Sequence, residues 1–182
     1  MNEFDGHWIA TQNVPEFHYL DPNPNEILIE DIAHALSLQC RFGGHSPYFY
    51  SVAEHSVRVS IEAGRRDLSV KDRLAALLHD AEEAYLPDIP RPIKHDMSEA
   101  QKIYTRIQKV INKKFGIEDA NWVEIKRIDD QMTSTEADRF GLLNPNWSPL
   151  GRRINRQMVL GWEPELAEDE FLRRYKDLME EL

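Results

Sequence analysis

Apolar residues recur at helical spacing along most of the chain. Between residues 26 and 38, for example, Ile29, Ile32 and Leu36 fall on one side of a helical wheel. Later apolar runs follow serine, aspartate or asparagine residues of the kind that cap helix N-termini. Predicted helices begin near Glu26 or Glu30, Ser51, Ser69, Ser98, Asp119 or Asn121, and Pro164. The pattern therefore predicts a mainly α fold.

The N-terminal segment has a different pattern. Residues 8–11 and 17–20 alternate weakly between apolar and polar positions, and Asn13-Val14-Pro15 separates them. This spacing predicts a short β-hairpin, followed by a turn at residues 21–25. We expect residues 1–182 to form a single domain, with residues 1–25 as the hairpin and turn and residues 26–182 as a helical core.

Composition narrows the classes of protein. The chain has 182 residues, one cysteine and a net charge of −10. No run of 18 apolar residues occurs and no secretory signal precedes the first helix, so we expect a cytoplasmic protein without a membrane span. A strongly acidic chain repels polyanions, which argues against stable nucleic-acid binding. A small phosphorylated substrate remains compatible with this net charge, because its binding needs only a few local cations.

A histidine–aspartate pair is the main sign of chemistry in the sequence. His79 and Asp80 interrupt the apolar run 74–84, where an uncompensated charge would be costly. His55 and Asp129 lie on the apolar sides of two other predicted helices. Two imidazoles and two carboxylates suit a divalent cation such as Mn, Co, Fe, Ni, Zn or Mg. The sequence therefore predicts one metal site with four protein ligands.

Two further carboxylates are candidates for proton transfer. Glu83 follows His79 by four residues and Asp80 by three, one helical turn away, where it can hold or deprotonate a water at the cation. The alternative is an exposed surface glutamate. Asp88 lies in a proline-stiffened loop, where it either assists proton transfer to a leaving group or begins a turn.

These residues resemble the H…HD…D signature of the HD-domain phosphohydrolase superfamily. The segments Ala53-Glu54-His55-Ser56, His79-Asp80-Ala81-Glu82-Glu83 and Asp88-Ile89-Pro90 resemble its 5′-deoxynucleotidase branch. Residues 29–36 and 41–45 are similar to small HD hydrolases of bacteriophages and prophages, among them the phage dATP triphosphohydrolases. The resemblance covers nearly the whole chain and implies a helical HD-domain bundle in the bacterial or phage-infected host cytosol.

The resemblance also implies roles for individual residues. His55, His79, Asp80 and Asp129 would bind one divalent transition metal (Co, Mn, Zn, Fe or Ni), with Mg possible on the substrate phosphates. Glu83 would orient the attacking water, and Asp88 would lie at the scissile phosphate. The residues expected to contact substrate are Arg41, Lys94 and Lys126 on phosphate oxygens and Phe42 on the base or sugar. Relatives of this kind form homo-oligomers, either dimers or larger rings such as hexamers.

Several functions fit this pattern. The leading prediction is dephosphorylation of dATP or other deoxyadenylates by a triphosphohydrolase, because three candidate cations suit a triphosphate. A 5′-deoxynucleotidase that acts on deoxynucleoside monophosphates with broad base specificity is the alternative enzyme. Arg41-Phe42 departs from the Arg-Trp pair of that branch, so the branch does not settle base or sugar selectivity here. Ala84 disfavours an alarmone hydrolase, which typically has aspartate there. A non-catalytic nucleotide-binding sensor is the alternative of another class.

Overall fold

The computed structural model describes residues 6–143, 151–154 and 161–182. These residues form a mainly α fold, as the periodicity predicts. The described α-helices are α1 (Ile29–Leu38), α2 (Val52–Arg65), α3 (Val70–Leu77), α4 (Arg91–His95), α5 (Ser98–Lys114), α6 (Trp122–Arg139) and α7 (Pro164–Glu181). Short 3-10 turns occur at Pro24–Glu26, Arg41–Gly44 and Ala81–Ala84.

The predicted N-terminal β-hairpin is wrong. In the described part of this segment, one isolated antiparallel bridge joins Ile9 and Phe17, and no strand extends from it. The intervening loop is held by a helix instead of by strand pairing: the Asp31 carboxylate accepts hydrogen bonds from Thr11 Oγ1 and Asn13 Nδ2, both at 2.6 Å. The first five residues of the predicted segment lie outside the described residues.

Side-chain caps explain where several helices begin. Ser51 Oγ accepts a hydrogen bond from the Glu54 N–H at 3.0 Å, which confirms the predicted start of α2. Ser69 and Asn121 cap α3 and α6 in the same way. Helix α5 differs, because Met97 is its N-cap residue and forms no side-chain cap. The helix begins at Ser98, as predicted, but the Ser98 side chain does not cap it.

Helix α2 lies at the centre of the fold and packs against α1, α3, α6 and α7. The largest fully buried side chains form one continuous apolar core around it; they include Phe17, Ile32, Leu36, Leu74, Leu77, Leu78, Ile107, Ile111 and Phe171. Burial of this apolar surface is the main stabilising contribution. None of the helices described combines the length with the apolar character that a bilayer-spanning segment needs.

The chain leaves helical geometry at the histidine–aspartate pair. Helix α3 ends at Leu77, His79 and Asp80 lie in the turn that follows, and Glu83 belongs to the next 3-10 turn. The sequence predicts one continuous helix here, and this is wrong. Adjacent side chains on a helix diverge by about 100°, whereas this turn lets both neighbours point to one position.

Candidate metal centre

Four side chains from three segments converge at one point. His55 comes from α2, His79 and Asp80 from the turn after α3, and Asp129 from α6; one ligand atom from each lies within 4.8 Å of the others. His55 Nε2 is 3.2 Å from Asp129 Oδ1. His79 Nε2 is 3.2 Å from Asp80 Oδ2. The structure thus brings together all four residues predicted as ligands.

The two imidazoles have the arrangement that metal ligands need. His79 Nδ1 donates to the Ala76 carbonyl oxygen at 2.9 Å, and His55 Nδ1 donates to Glu136 Oε1 at 2.6 Å. Both Nε2 atoms are buried without a hydrogen-bond partner. Because the outer partner of each ring holds Nδ1, Nε2 is the nitrogen that faces the two carboxylates, as in metal-binding histidines. This group of residues could hold a metal ion.

The ligands interact strongly with one another. Burial opposes ionisation of Asp129, but the nearby imidazoles of His55 and His79 outweigh it and lower the pKa of Asp129 well below its usual range. Burial likewise opposes the charged form of His79, yet Asp80 and Asp129 raise the pKa of His79 well above its usual value. The carboxylates therefore stay ionised, as ligands of a cation must be.

Glu83 is buried beside this centre, with 4% of its surface exposed, so it is not a surface glutamate. Its Oε1 accepts a hydrogen bond from Lys94 Nζ at 3.0 Å. Burial and the carboxylates of Asp80, Asp88 and Glu82 raise the pKa of Glu83, and Lys94 opposes them. A base with a raised pKa takes up a proton more readily near neutral pH.

Gln39 joins Glu83 to the loop that carries Asp88. Its side-chain amide donates to the Glu83 carbonyl oxygen at 2.6 Å and accepts from the Asp88 N–H at 2.9 Å. Asp88 is half-buried, and burial raises the pKa of its carboxyl while Arg41 opposes the shift. The loop therefore holds Asp88 at the same pocket as Glu83.

A cavity of about 320 Å³ opens next to the four candidate ligands. Two of them, Asp80 and Asp129, lie in its wall. Both candidate acid–base residues, Glu83 and Asp88, also line it. The remaining lining side chains are mostly cations and loop residues: Arg41, Arg91, Lys94, Lys126, Phe42, Thr133, Ile89, Pro90 and Pro92.

Arg41 is the innermost of these cations and only 8% of its surface is exposed. Its guanidinium lies 3.6 Å from Asp80 Oδ2 and 3.3 Å from Glu136 Oε2, and donates to Thr133 Oγ1 at 3.2 Å. Burial alone would lower the pKa of Arg41, but the surrounding carboxylates, led by Glu136, raise it further than burial lowers it. Arg41 therefore stays cationic beside the ligands.

Phe42 has a strained backbone at the pocket. Its φ is 57°, in the left-handed region that residues other than glycine rarely adopt. The ring packs edge-on against Phe140, with 5.7 Å between centroids, and remains half-buried. A non-glycine residue held in this conformation is typical of functional sites, and here it directs an aromatic ring to the pocket wall.

Two exposed cations lie at the mouth of the pocket. Lys126 Nζ is 2.6 Å from Asp129 Oδ2 and 2.9 Å from Asp130 Oδ1. Arg91 reaches the same two oxygens from α4, at 3.4 and 2.9 Å. The sequence analysis missed Arg91, although its place directly after Asp88-Ile89-Pro90 was an available signal. Asp129 thus turns one oxygen to the histidines and the other to solvent-side cations.

The sequence analysis also missed Glu136, which is fully buried behind His55. Besides the His55 Nδ1–H, its carboxylate accepts the Tyr50 hydroxyl at 2.9 Å. Burial opposes its ionisation, but His55 and Arg41 outweigh burial and lower the pKa of Glu136. Glu136 follows Asp129 by seven residues, two turns along one helix face, and this spacing could have identified it.

Comparison with known proteins gives relatives along the whole chain. The uncharacterized protein YfdR of Escherichia coli is 34% identical over 176 residues, which span 95% of this chain and 96% of YfdR. The chain belongs to the YfdR family. A second relative, the uncharacterized protein RCAP_rcc00048 of Rhodobacter capsulatus, is 39% identical over 113 residues, 59% of this chain and 58% of that protein. No protein-family model matches the chain.

The names of these two relatives assign no reaction. The relevant observations are two buried imidazole nitrogens without partners, two ionised carboxylates beside them, a buried glutamate one turn away, and a pocket lined by four cations.

Proposed function

We propose that this chain is a metal-dependent phosphohydrolase of deoxynucleotides, of the HD-domain type, and that it cleaves deoxyadenylates such as dATP. The single observation that carries the proposal is the position of the two unpartnered histidine nitrogens. They lie beside Asp80 and Asp129 next to a pocket with four cations on its walls.

The four candidate ligands would hold one divalent ion of the Mn, Co, Fe, Ni or Zn class, since mixed imidazole and carboxylate donors suit these metals. When bound, such an ion supplies Lewis acidity and lowers the pKa of water. Protein side chains would supply the remaining chemistry. Their positions support two roles, proton transfer by carboxylates and charge stabilisation by cations.

Glu83 is the proposed general base. Its carboxylate is buried beside Asp80, and Lys94 keeps it close to a cation, so it can accept a proton from an attacking water without losing its position. Asp88 is the proposed acid at the leaving oxygen, because it lines the same pocket and burial raises its pKa.

Four cations would bind the phosphate oxygens. Arg41 lies deepest, and Arg91, Lys94 and Lys126 surround the opening. Positive charges aimed at the phosphoryl group stabilise the charge that develops in the transition state. Four cations exceed what one phosphate requires, and this number supports a triphosphate substrate over a monophosphate. Phe42 would stack on the base or sugar at the rim, and Mg could accompany the outer phosphates.

A nucleotide panel tests the proposal. Purified protein with each divalent metal in turn is incubated with dAMP, dADP, dATP and the matching ribonucleotides, and products are separated by chromatography. We expect deoxynucleotide cleavage with poor ribonucleotide turnover. Release of deoxyadenosine and tripolyphosphate from dATP would identify a triphosphohydrolase, whereas phosphate release from monophosphates alone would identify a 5′-deoxynucleotidase.

A matched pair of variants ties turnover to the site. Asp80→Ala should abolish activity while circular dichroism shows a retained fold. The sequence has a second histidine–aspartate pair, His95-Asp96, which is exposed on the surface. Asp96→Ala should therefore leave activity unchanged. Normal turnover by Asp80→Ala would refute the metal assignment. Nucleotide binding without turnover at any metal would instead support a non-catalytic sensor. Self-association into a dimer or hexamer stays a prediction from the resemblance.

A further inference from the structure

Glu136 is a fully buried carboxylate directly behind His55, and the proposed mechanism gives it no role. Its side chain has no exposed surface. Oε1 accepts two hydrogen bonds, from His55 Nδ1 at 2.6 Å and from the Tyr50 hydroxyl at 2.9 Å, while Oε2 lies 3.3 Å from Arg41 Nε. A buried carboxylate is costly even when, as here, two hydrogen bonds and an ion pair compensate its charge, so its presence calls for a role.

These contacts determine which nitrogen of His55 carries the proton. A carboxylate beside an arginine only accepts hydrogen bonds, so the nitrogen facing it must be an N–H. The neutral imidazole then has its lone pair on Nε2, the atom 3.2 Å from Asp129. We propose that Glu136 is a positioning residue that fixes His55 in the one tautomer able to bind a metal through Nε2.

This inference rests on the metal site of the proposed function. It predicts a specific effect of replacing the Glu136 carboxylate with an amide. In Glu136→Gln, Arg41 can only donate, so the amide oxygen should turn to Arg41. The amide NH₂ would then face His55 Nδ1 and require it to accept. The proton would move to Nε2, where it blocks metal binding. The same change in a serine-protease triad gives the wrong histidine tautomer.

Helix α2 offers a matched control in Glu54, one residue before His55. Its carboxylate is equally buried and pairs with Arg58 at 2.8 Å. It also accepts hydrogen bonds from the Gly161 and Trp162 N–H groups. Glu54 therefore has the same size, burial and arginine pairing as Glu136, but its partners lie away from the candidate ligands. Glu54→Gln should share any general cost of neutralising a buried carboxylate.

The experiment measures metal affinity and the His55 tautomer, neither of which requires turnover. Mn²⁺ or Zn²⁺ dissociation constants are determined by chelator competition for wild type, Glu136→Gln, Glu136→Asp and Glu54→Gln. The free energy of unfolding of each metal-free protein is measured in urea. We expect Glu136→Gln to weaken metal binding about 10- to 100-fold, the usual effect of losing an outer partner of a metal-binding histidine.

The metal dissociation constant of Glu54→Gln should be within about threefold of the wild-type value, because loss of the Glu54 charge affects only the stability of the fold. Glu136→Asp keeps the charge and should recover part of the affinity. Nitrogen-15 spectra of the metal-free proteins should show a proton on His55 Nδ1 in wild type and no proton there in Glu136→Gln. Together these results separate positioning from a purely structural role.

Equal metal affinity in wild type and Glu136→Gln would overturn the inference, as would a loss that Glu54→Gln matches. Either result leaves the proposed phosphohydrolase intact if the nucleotide panel shows turnover. Conversely, a tight metal site that depends on Glu136 but turns over no nucleotide would sink the proposed reaction and keep the positioning role. A proton that stays on His55 Nδ1 in Glu136→Gln would also overturn the inference, whatever the metal affinities are.

Discussion

Lys94 Nζ lies 3.0 Å from Glu83 Oε1, so the cation assigned to substrate phosphate is also the partner of the proposed base. The other charged groups that affect Glu83 most are carboxylates, namely Asp80, Asp88 and Glu82. Lys94 reaches Glu83 from α4, while its ammonium also lies 3.9 Å from the ring centroid of Tyr104. One side chain thus connects phosphate binding to proton transfer.

Removal of Lys94 should change the pH dependence of turnover. Burial, Asp80 and Asp88 raise the pKa of Glu83, and Lys94 lowers it. A base must be ionised, so kcat rises as pH passes through this pKa. Lys94→Met removes the opposing charge and should move the acidic limb of the kcat profile to higher pH by about one unit or more. Part of the activity should return at alkaline pH.

Lys102→Met is the control for this experiment. Lys102 is an exposed lysine on α5 that pairs with Glu99, outside the pocket. Its pH profile should match that of wild type. A Lys94→Met profile with an unchanged acidic limb would show that Glu83 is not the titrating base, even if substrate binding weakened.

Loss of Arg91 should weaken the use of substrate and have little effect on the stability of the fold. Its side chain is 49% exposed and its ion pairs with Asp129 and Asp130 are accessible to solvent. A hydrogen bond to a charged phosphate contributes about 1.5–3 kcal/mol, so Arg91→Ala should lower kcat/KM for dATP by about 10- to 100-fold. Arg127→Ala, an exposed arginine paired with Glu124 on the same helix as Asp129, is the control. Equal kinetics for the two variants would remove Arg91 from the site.

Metal binding should stabilise the fold. A ligand that binds only the folded state adds about 2.7 kcal/mol when its free concentration is 100 times Kd. Urea unfolding with Mn²⁺ at that concentration should show this gain, and EDTA should remove it. Asp129→Asn loses an ionised ligand and should show little of the gain. A metal-independent midpoint in wild type would contradict the existence of the site.

The helices and the inward position of the candidate ligands were predictable because their signals are local. Ser51 and Asn121 cap the helices that carry His55 and Asp129, and the apolar stripes place both side chains inward. An uncompensated aspartate or histidine among apolar residues is costly, and this cost indicates candidate ligands without any knowledge of the fold. The convergence of the four residues on one point follows from the same argument.

The remaining features depend on contacts between distant residues. Asp31 holds Thr11 and Asn13 by hydrogen bonds in place of an extended hairpin. It lies about 20 residues further along the chain, so no local pattern reveals these contacts. The end of α3 at Leu77 is equally hidden, because residues 74–84 keep an uninterrupted helical composition. Short α4 follows Pro90 and contains Pro92, and such closely spaced prolines normally indicate a loop, so the cation that it adds to the pocket, Arg91, was missed.

Two glycines with the same backbone conformation should differ in their tolerance of alanine. Gly116 and Gly161 have φ of 66° and 72°. A Cβ at Gly116 meets nothing within 4 Å, so Gly116→Ala should cost only the left-handed backbone term, about 1 kcal/mol. A Cβ at Gly161 would lie 2.6 Å from the Tyr48 ring, and the Gly161 N–H is held by Glu54. Gly161→Ala should therefore cost about 2–4 kcal/mol. Urea unfolding of both variants measures the difference, and equal losses would show that Tyr48 moves aside freely.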